Sequence, residues 1–199
     1  MNAAAVRIVA QKVEQLGGRY LVVGGLAVEQ KVPTATEDVD LLLAVADYER
    51  VVAALVADPS VQIDEGRLIS GGFMDGGDGK VDFDLLNPVA FAGKRSGEEF
   101  FDFVYRSRSY ESPLGRTADP QVVWYMRLMV PDWETYIQKI VRDLGNGAPW
   151  KWVDDVRRIA DRFGAETTVG GRIGALKGAA LVAGIPGASE APDAALRRE

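Results

Sequence analysis

The chain of 199 residues contains no cysteine and no histidine. Without cysteine it has neither a disulfide framework nor thiolate zinc sites. Without histidine it lacks imidazole metal ligands and the base of Ser-His-Asp or Cys-His catalysis. A metal site must therefore be built from oxygen ligands, which suit magnesium, manganese or calcium. General acid–base chemistry falls to Asp, Glu, Lys or Tyr.

Long apolar runs are also missing from the sequence. No stretch reaches the roughly 18 consecutive apolar residues of a membrane-spanning helix, and residues 1–16 do not follow the pattern of a signal peptide. We therefore expect no membrane association and a cytoplasmic location. The net charge of −6 argues against broad non-specific binding to nucleic acid.

Apolar spacing and turn residues predict an α+β protein, with a small mixed sheet flanked by helices and a helical C-terminal part. We divide the chain into a core over residues 1–130, a helical part over 131–185 and a mobile tail over 186–199. Helices are predicted over 3–16, 26–30, 47–56 (with Asp47 as the cap), 132–144, 149–163 and 173–182. Strands are predicted over 20–23, 39–45, 68–74, 80–86 and 121–130, and residues 97–110 have a mixed pattern.

Asp38 and Asp40 occupy alternate positions of the predicted strand at 39–45. Alternate residues of a strand face the same way, so the two carboxylates lie side by side with Cα atoms about 6.6 Å apart. At close range such charges repel each other, and a bound cation relieves the repulsion. An isolated D-x-D pattern is common, and the alternative interpretation is a solvent-facing strand edge.

Two further features strengthen the interpretation as a metal site. Gly24 and Gly25 follow a buried strand and begin a predicted helix, where backbone N–H groups can bind phosphate. Asp82 and Asp84 form a second alternating pair on the strand at 80–86. Neighbouring strands can thus gather three carboxylates, as in sites that bind two metal ions for phosphoryl transfer.

These motifs resemble the minimal nucleotidyltransferase fold of the polymerase-β superfamily. The pattern Gly24-Gly25, Thr36-x-Asp38-x-Asp40 and a later strand aspartate carries that resemblance. The segments 132–139 and 152–156 resemble the lysine and aspartate helices of AbiEii/MenT-type toxins, the nucleotidyltransferase toxins of bacterial toxin–antitoxin systems. The resemblance covers residues 15–163.

The resemblance implies a role for each matching residue. The metal ligands would be Asp38, Asp40 and Asp84, because Asp84-Leu85-Leu86 fits the family pattern better than Asp82. The nucleotide phosphates would contact Gly24, Gly25 and Thr36, the triphosphate would contact Lys139, and Asp154 or its neighbour Asp155 would complete the site.

The implied activity is transfer of NMP from an NTP to an acceptor hydroxyl, with Mg²⁺ or Mn²⁺ as cofactor. The resemblance implies a tRNA 3′ end as acceptor, growth inhibition as the effect and a cognate antitoxin protein as partner. Transfer to a small molecule such as an aminoglycoside and a non-catalytic binding module remain alternatives. Two basic clusters are either solvated faces or a groove for an RNA backbone: Lys94, Arg95, Arg106 and Arg108; Arg157, Arg158 and Arg162.

Overall fold

A mixed β-sheet forms the centre of the protein in the computed structural model, which describes residues 3–33, 36, 38–76 and 79–190. The order across the described sheet is β3-β4-β5-β2-β1-β7-β6. The strands are β1 (Tyr20–Val22), β2 (Val39–Leu43), β3 (Val61–Asp64), β4 (Ile69–Asp75), β5 (Lys80–Leu86), β6 (Ser109–Ser112) and β7 (Gly115–Ala118).

The helices surround this sheet and dominate the C-terminal half. They are α1 (Ala3–Gln15), α2 (Gly24–Glu29), α3 (Val45–Val56), α4 (Gly97–Ser107), α5 (Pro120–Met129), α6 (Trp133–Gly145), α7 (Lys151–Arg162) and α8 (Glu166–Val182), with a 3₁₀ turn at Pro88–Phe91. The α+β class is therefore confirmed. No helix in the described ranges combines the length and the apolar character needed to cross a bilayer.

The central strand β2 pairs with β5 in parallel and with β1 in antiparallel orientation. In the β2–β5 register, Asp40 lies opposite Asp84. Strands β4 and β5, both predicted from the sequence, pair in antiparallel orientation as a hairpin in which Asp75 lies opposite Lys80. The β2–β5 pairing joins distant parts of the chain, so the relative position of the acidic residues depends on the whole sheet.

Each face of the sheet buries its own apolar cluster, because successive strand residues point to opposite sides. Leu41 and Leu43 of β2 pack with α1 and α3, whereas Leu42 belongs to the cluster formed with α2 and α4–α8. Asp38 and Asp40 lie four and two residues before Leu42, so their side chains point to the same face as Leu42. The acidic pair therefore lies on the face that the C-terminal helices cover.

The apolar cluster on that face is continuous from Leu21 in the sheet to Ala180 in α8. The sheet and the C-terminal helices thus share one core across the proposed boundary near residue 130. In the proposed tail, the Pro186 carbonyl accepts a hydrogen bond from Trp150 and Ala188 is buried. Residues 191–199 lie outside the described part of the chain.

The predicted strand over 121–130 is wrong, because this segment forms α5. Pro120 occupies its first turn and Asp119 precedes it, as is typical of a helix start. Nearly every residue of α5 is buried. A helix that is apolar on all sides has no 3.6-residue periodicity, so an apolar run alone does not distinguish it from a buried strand.

Other differences concern the ends of elements. Residues 97–107 are fully helical, because Ser96 and Glu99 form a reciprocal capping box. Asp47 lies in the first turn of α3 rather than at its cap, and its carboxylate accepts from the backbone N–H of Arg19. Helix α8 begins earlier than predicted, and strands β3, β6 and β7 were not predicted.

Candidate active site

Three carboxylates meet where β2 and β5 pair. Asp38, Asp40 and Asp84 each place one oxygen so that all three oxygens lie within 4.8 Å of one another. All three side chains are half-buried. The parallel register places Asp84 beside Asp40, and the two-residue period of β2 adds Asp38 on the same face.

The Gly24–Gly25 turn packs directly against this triad. Gly24 has φ of +65°, and a Cβ atom there would lie 1.6 Å from Asp40 Oδ2. A Cβ atom on Gly25 would lie 2.5 Å from Thr36 Oγ1. The Thr36 hydroxyl in turn donates a hydrogen bond of 2.9 Å to Asp38 Oδ1. The glycines are therefore required by the close approach of the backbone to the acidic group.

Strand β4 makes similar room for the third carboxylate. Gly71 pairs with Asp84, and a Cβ atom on Gly71 would lie 2.8 Å from Asp84 Oδ1. Asp82 points to the same face of β5 but is exposed, and it lines the same cavity without joining the triad. Of the two candidate aspartates on β5, the structure thus brings Asp84 to the other ligands.

The triad lies in an open cavity of about 960 Å³ between the sheet and the C-terminal helices. One wall, here called the sheet wall, includes the triad together with Asp64 and Asp82. The opposite wall, here called the helical wall, carries three basic residues: Arg127 of α5 and Lys139 and Arg142 of α6. The cavity therefore presents acidic groups on one side and basic groups on the other.

Helix α6 places its cavity residues by simple periodicity. Tyr136, Lys139 and Arg142 are three residues apart and line the cavity, whereas Ile140 and Leu144 are buried in the core. The Lys139 Nζ atom lies 4.9 Å from the centre of the Tyr136 ring, a cation–π contact that directs the ammonium group. The structure thus brings Lys139, as well as the triad and the glycine turn, to one cavity.

Burial and the neighbouring negative charges both raise the pKa values of carboxylates in the triad. Burial, followed by the charges of Asp38 and Asp84, raises the pKa of Asp40 to about 7, although Arg127 and Lys139 oppose the shift. Burial, followed by the charge of Asp38, also raises the pKa of Asp84, and Lys139 again opposes. The site therefore favours binding either a proton or a metal cation.

A divalent cation with a preference for oxygen ligands fits the donors present. The three converging carboxylate oxygens are hard ligands, and Thr36 fixes one carboxylate by hydrogen bonding. Magnesium and manganese are bound by such carboxylate groups together with substrate phosphates. Asp38, Asp40 and Asp84 are the residues that would hold the ion.

The structure does not bring Asp154 or Asp155 to the cavity. Asp154 accepts a hydrogen bond from Arg157 at 3.1 Å, and Asp155 forms ion pairs with Arg108 and Arg158. Their helix, α7, buries its apolar face against the core, where the Trp152 ring meets the Trp124 ring at 5.2 Å. Neither aspartate is among the residues that line the cavity.

The sequence analysis missed Arg127, which lines the cavity, and the buried residues Asp143 and Trp124 that hold it from behind. Arg127 Nη1 donates to Asp143 Oδ2 at 2.7 Å, and Trp124 Nε1 donates to the same oxygen at 3.0 Å. Asp143 lies on the apolar face of α6, four residues after Lys139, and is fully buried. A charged residue on the buried face of an amphipathic helix is the signal that could have identified this pair.

The remaining predicted groups, the tryptophans and the two basic clusters, lie in the core or on the surface away from the triad. Trp124 and Trp152 are buried, and Trp133 and Trp150 pack against the core. In the basic clusters, Arg108 and Arg158 pair with Asp155, Arg106 pairs with Asp102, and Arg162 lies over the Phe103 ring. None of these seven cluster residues lines the cavity.

No protein-family model matches the chain. No curated protein is similar enough in sequence to count as a relative. The geometry of the site and the motifs of the sequence therefore carry the functional proposal.

Substitution of Gly24 by alanine should disrupt the triad. A left-handed conformation costs a non-glycine residue roughly 1–2 kcal/mol, and the added methyl group would displace the Asp40 carboxylate. We expect a lower free energy of unfolding and loss of any increase in melting temperature that Mg²⁺ gives the wild type.

Gly174→Ala provides the matched control for this change. Gly174 lies in α8, and a methyl group added there would meet no neighbouring atom within 4 Å. Alanine there should leave the Mg²⁺ response intact and stabilise the helix by up to about 1 kcal/mol. Equal behaviour of the two variants in thermal unfolding with and without Mg²⁺ would contradict the packing described for Gly24.

The raised pKa of Asp40 predicts a pH-dependent stability without divalent ions. Between its ordinary pKa of 3.8 and about 7, folded Asp40 holds a proton that the unfolded chain has lost. Its contribution to the unfolding free energy should therefore decrease as the pH rises through this window, and change little above it. Asp40→Asn should remove that part of the pH dependence.

Urea unfolding in the presence of EDTA between pH 4 and 8 measures this difference. Asp161→Asn, a change at an exposed residue of α7, should retain the wild-type pH dependence. A wild-type protein and an Asp40→Asn variant with parallel stability curves would refute the assignment.

Proposed function

We propose that the protein is a metal-dependent nucleotidyltransferase that moves NMP from an NTP to an acceptor hydroxyl. The observation that carries the proposal is the opposition of the acidic triad and the basic helical wall across one cavity. A nucleoside triphosphate with a divalent ion fits both walls, because the acidic sheet wall attracts the cation and the basic helical wall attracts the phosphates. The glycine turn beside Asp40 lets the backbone and the Asp40 carboxylate lie close together at the edge of this cavity.

The protein's own groups have separate tasks in this reaction. Lys139, on the helical wall, attracts the triphosphate by charge, and the Gly24–Gly25 turn offers backbone N–H groups. Thr36 holds the Asp38 carboxylate in place. A divalent ion on the triad would supply Lewis-acid stabilisation of the charge that develops on the phosphate.

The chemical step exchanges one phosphorus–oxygen bond for another. The acceptor oxygen bonds to the α-phosphorus, the bond from that phosphorus to the bridging oxygen breaks, and pyrophosphate leaves with the bonding electrons. The hydroxyl proton moves to a carboxylate, for which we assign Asp84. Burial and the charge of Asp38 raise the pKa of Asp84, which makes it a stronger base than an exposed aspartate.

We further propose a tRNA 3′ end as the acceptor, growth inhibition as the effect, a cognate antitoxin as the partner and the cytoplasm as the location. The support is the likeness of the Gly24-Gly25, Thr36-x-Asp38-x-Asp40 and Lys139 motifs to AbiEii/MenT-type toxins. The order of these motifs along the chain and their meeting in one cavity agree with that likeness.

A small cationic acceptor, such as an aminoglycoside, is the second candidate. The sheet wall favours it, because Asp64 and Asp82 extend the negative charge beyond the triad. Asp64, Gly71 and Asp84 follow one another across the register of β3, β4 and β5. This acidic surface attracts amines and repels the phosphates of an RNA backbone.

Labelled nucleotide transfer tests the proposed function. The protein is incubated with Mg²⁺ and each labelled NTP in turn, with total tRNA or an aminoglycoside as acceptor. The wild type should label one acceptor, and Asp38→Ala should abolish the labelling. Lys139→Met should reduce the rate by about 10²-fold or more, as expected for loss of a group that stabilises developing charge.

Two control variants make this test specific to the geometry. Lys151→Met removes an exposed lysine of α7 and should leave the rate unchanged. Asp154→Asn should retain activity within a few-fold, because Asp154 does not line the cavity. Label on tRNA selects the toxin, and label on the aminoglycoside selects the second candidate. Absence of label on any acceptor, with unchanged growth effects of Asp38→Ala, favours a non-catalytic binding module.

A further inference from the structure

The helical wall contains a buried arginine to which neither the motifs nor the proposed mechanism gives a role. We infer that Arg127 is a phosphate-binding residue, whose guanidinium group donates to the phosphates of the NTP and of the departing pyrophosphate. Asp143 holds the guanidinium group from behind, and Trp124 in turn donates to Asp143. The inference rests on the proposed function and adds a binding group to the same cavity.

The anchoring of Arg127 is the first observation. Asp143 is 0% exposed, and its Oδ2 atom accepts from Arg127 Nη1 at 2.7 Å and from Trp124 Nε1 at 3.0 Å. These bonds join two residues of α5 to one residue of α6. The guanidinium group is therefore fixed by charge and by hydrogen bonding before any ligand arrives.

The unused hydrogen-bonding capacity of the pair is the second observation. Arginine has five N–H donors, and within the described ranges Arg127 makes a hydrogen bond through Nη1 alone. Asp143 Oδ1 is buried and accepts no hydrogen bond from any residue that the structure describes. An arginine that only neutralised this aspartate would be expected to use both carboxylate oxygens in a bidentate pair. The remaining donors are thus left for another acceptor.

The position of Arg127 indicates which acceptor that is. The side chain is only 6% exposed, yet it lines the cavity opposite the triad. Lys139 and Arg142 lie on the same wall. Three cationic groups on one wall favour a polyanion, and the planar guanidinium group matches the geometry of phosphate oxygens. Of the reactants in the proposed transfer, the triphosphate and pyrophosphate fit this description.

Binding of pyrophosphate separates this role from a purely structural one. Removing only Arg127 would leave the Asp143 charge buried without its partner, so both are neutralised together in Arg127→Gln/Asp143→Asn. We expect this double variant to bind pyrophosphate with Mg²⁺ at least tenfold more weakly in titration calorimetry. Arg127→Lys, which keeps the charge but loses the planar donors, should bind at least threefold more weakly.

The matched control removes an arginine–carboxylate pair elsewhere. Arg116 and Glu111 form an ion pair of 3.0 Å between β7 and β6 and do not line the cavity. Arg116→Gln/Glu111→Gln should bind pyrophosphate within twofold of the wild type. Circular dichroism melting checks that each variant is folded. If the Arg127 double variant does not fold, Arg127→Lys decides the question by its own threefold threshold.

The outcomes distinguish this inference from the proposed function. If the wild type transfers label but the folded Arg127 variants bind pyrophosphate as the wild type does, the phosphate-binding role is refuted and the transferase remains. If the wild type neither binds pyrophosphate nor labels any acceptor, both are refuted. Weaker binding in the Arg127 variants with unchanged binding in the control supports the role.

Discussion

The partial burial of three carboxylates that also repel one another is the constraint on which the site depends, and much of the surrounding structure compensates for it. Two unit charges about 4 Å apart repel by about 4 kcal/mol at an effective dielectric constant near 20. The fold nevertheless holds oxygens of Asp38, Asp40 and Asp84 within 4.8 Å of one another. The parallel pairing of β2 with β5 brings these oxygens together, because Asp38 and Asp40 come from β2 and its start, whereas Asp84 comes from β5.

The compensation comes from the helices that cover this face of the sheet. Arg127 and Lys139 reach the cavity from α5 and α6 and lower the pKa of Asp40 against the effect of burial. Arg127 is itself balanced by Asp143 on the opposite side. Charge thus alternates from the triad through the helical wall into the core. Breaking a buried pair of this kind by removing one partner typically costs about 3–5 kcal/mol.

The sequence predicted correctly which side chains share a face where local periodicity alone decides it. Alternation placed Asp38 with Asp40 and Asp82 with Asp84, since a strand has a fixed two-residue period. Alternation alone left Asp82 and Asp84 open, and the resemblance of Asp84-Leu85-Leu86 to the family pattern selected Asp84, the residue that the structure brings to the triad. Gly24 stood out as a turn residue, although its contact with Asp40 is visible only in three dimensions.

Failures arose where tertiary packing decides. The α5 segment is buried on every side, so it lacks the periodicity that distinguishes a helix from a strand. That error hid Arg127, because a residue wrongly placed on a strand cannot be aligned with α6. Asp154 has the spacing of a family motif, yet it does not line the cavity, and its carboxylate pairs with Arg157 one turn along the same helix.

The long sequence separation between β2 and β5 has a consequence for ligand binding. Residues 40 and 84 come together only when the central sheet is formed, so an unfolded chain offers dispersed carboxylates rather than a chelating site. Any ion that the triad binds selects the folded population, and its binding free energy adds to conformational stability by mass action. The melting temperature of this protein would then depend on the free concentration of divalent cations in its surroundings.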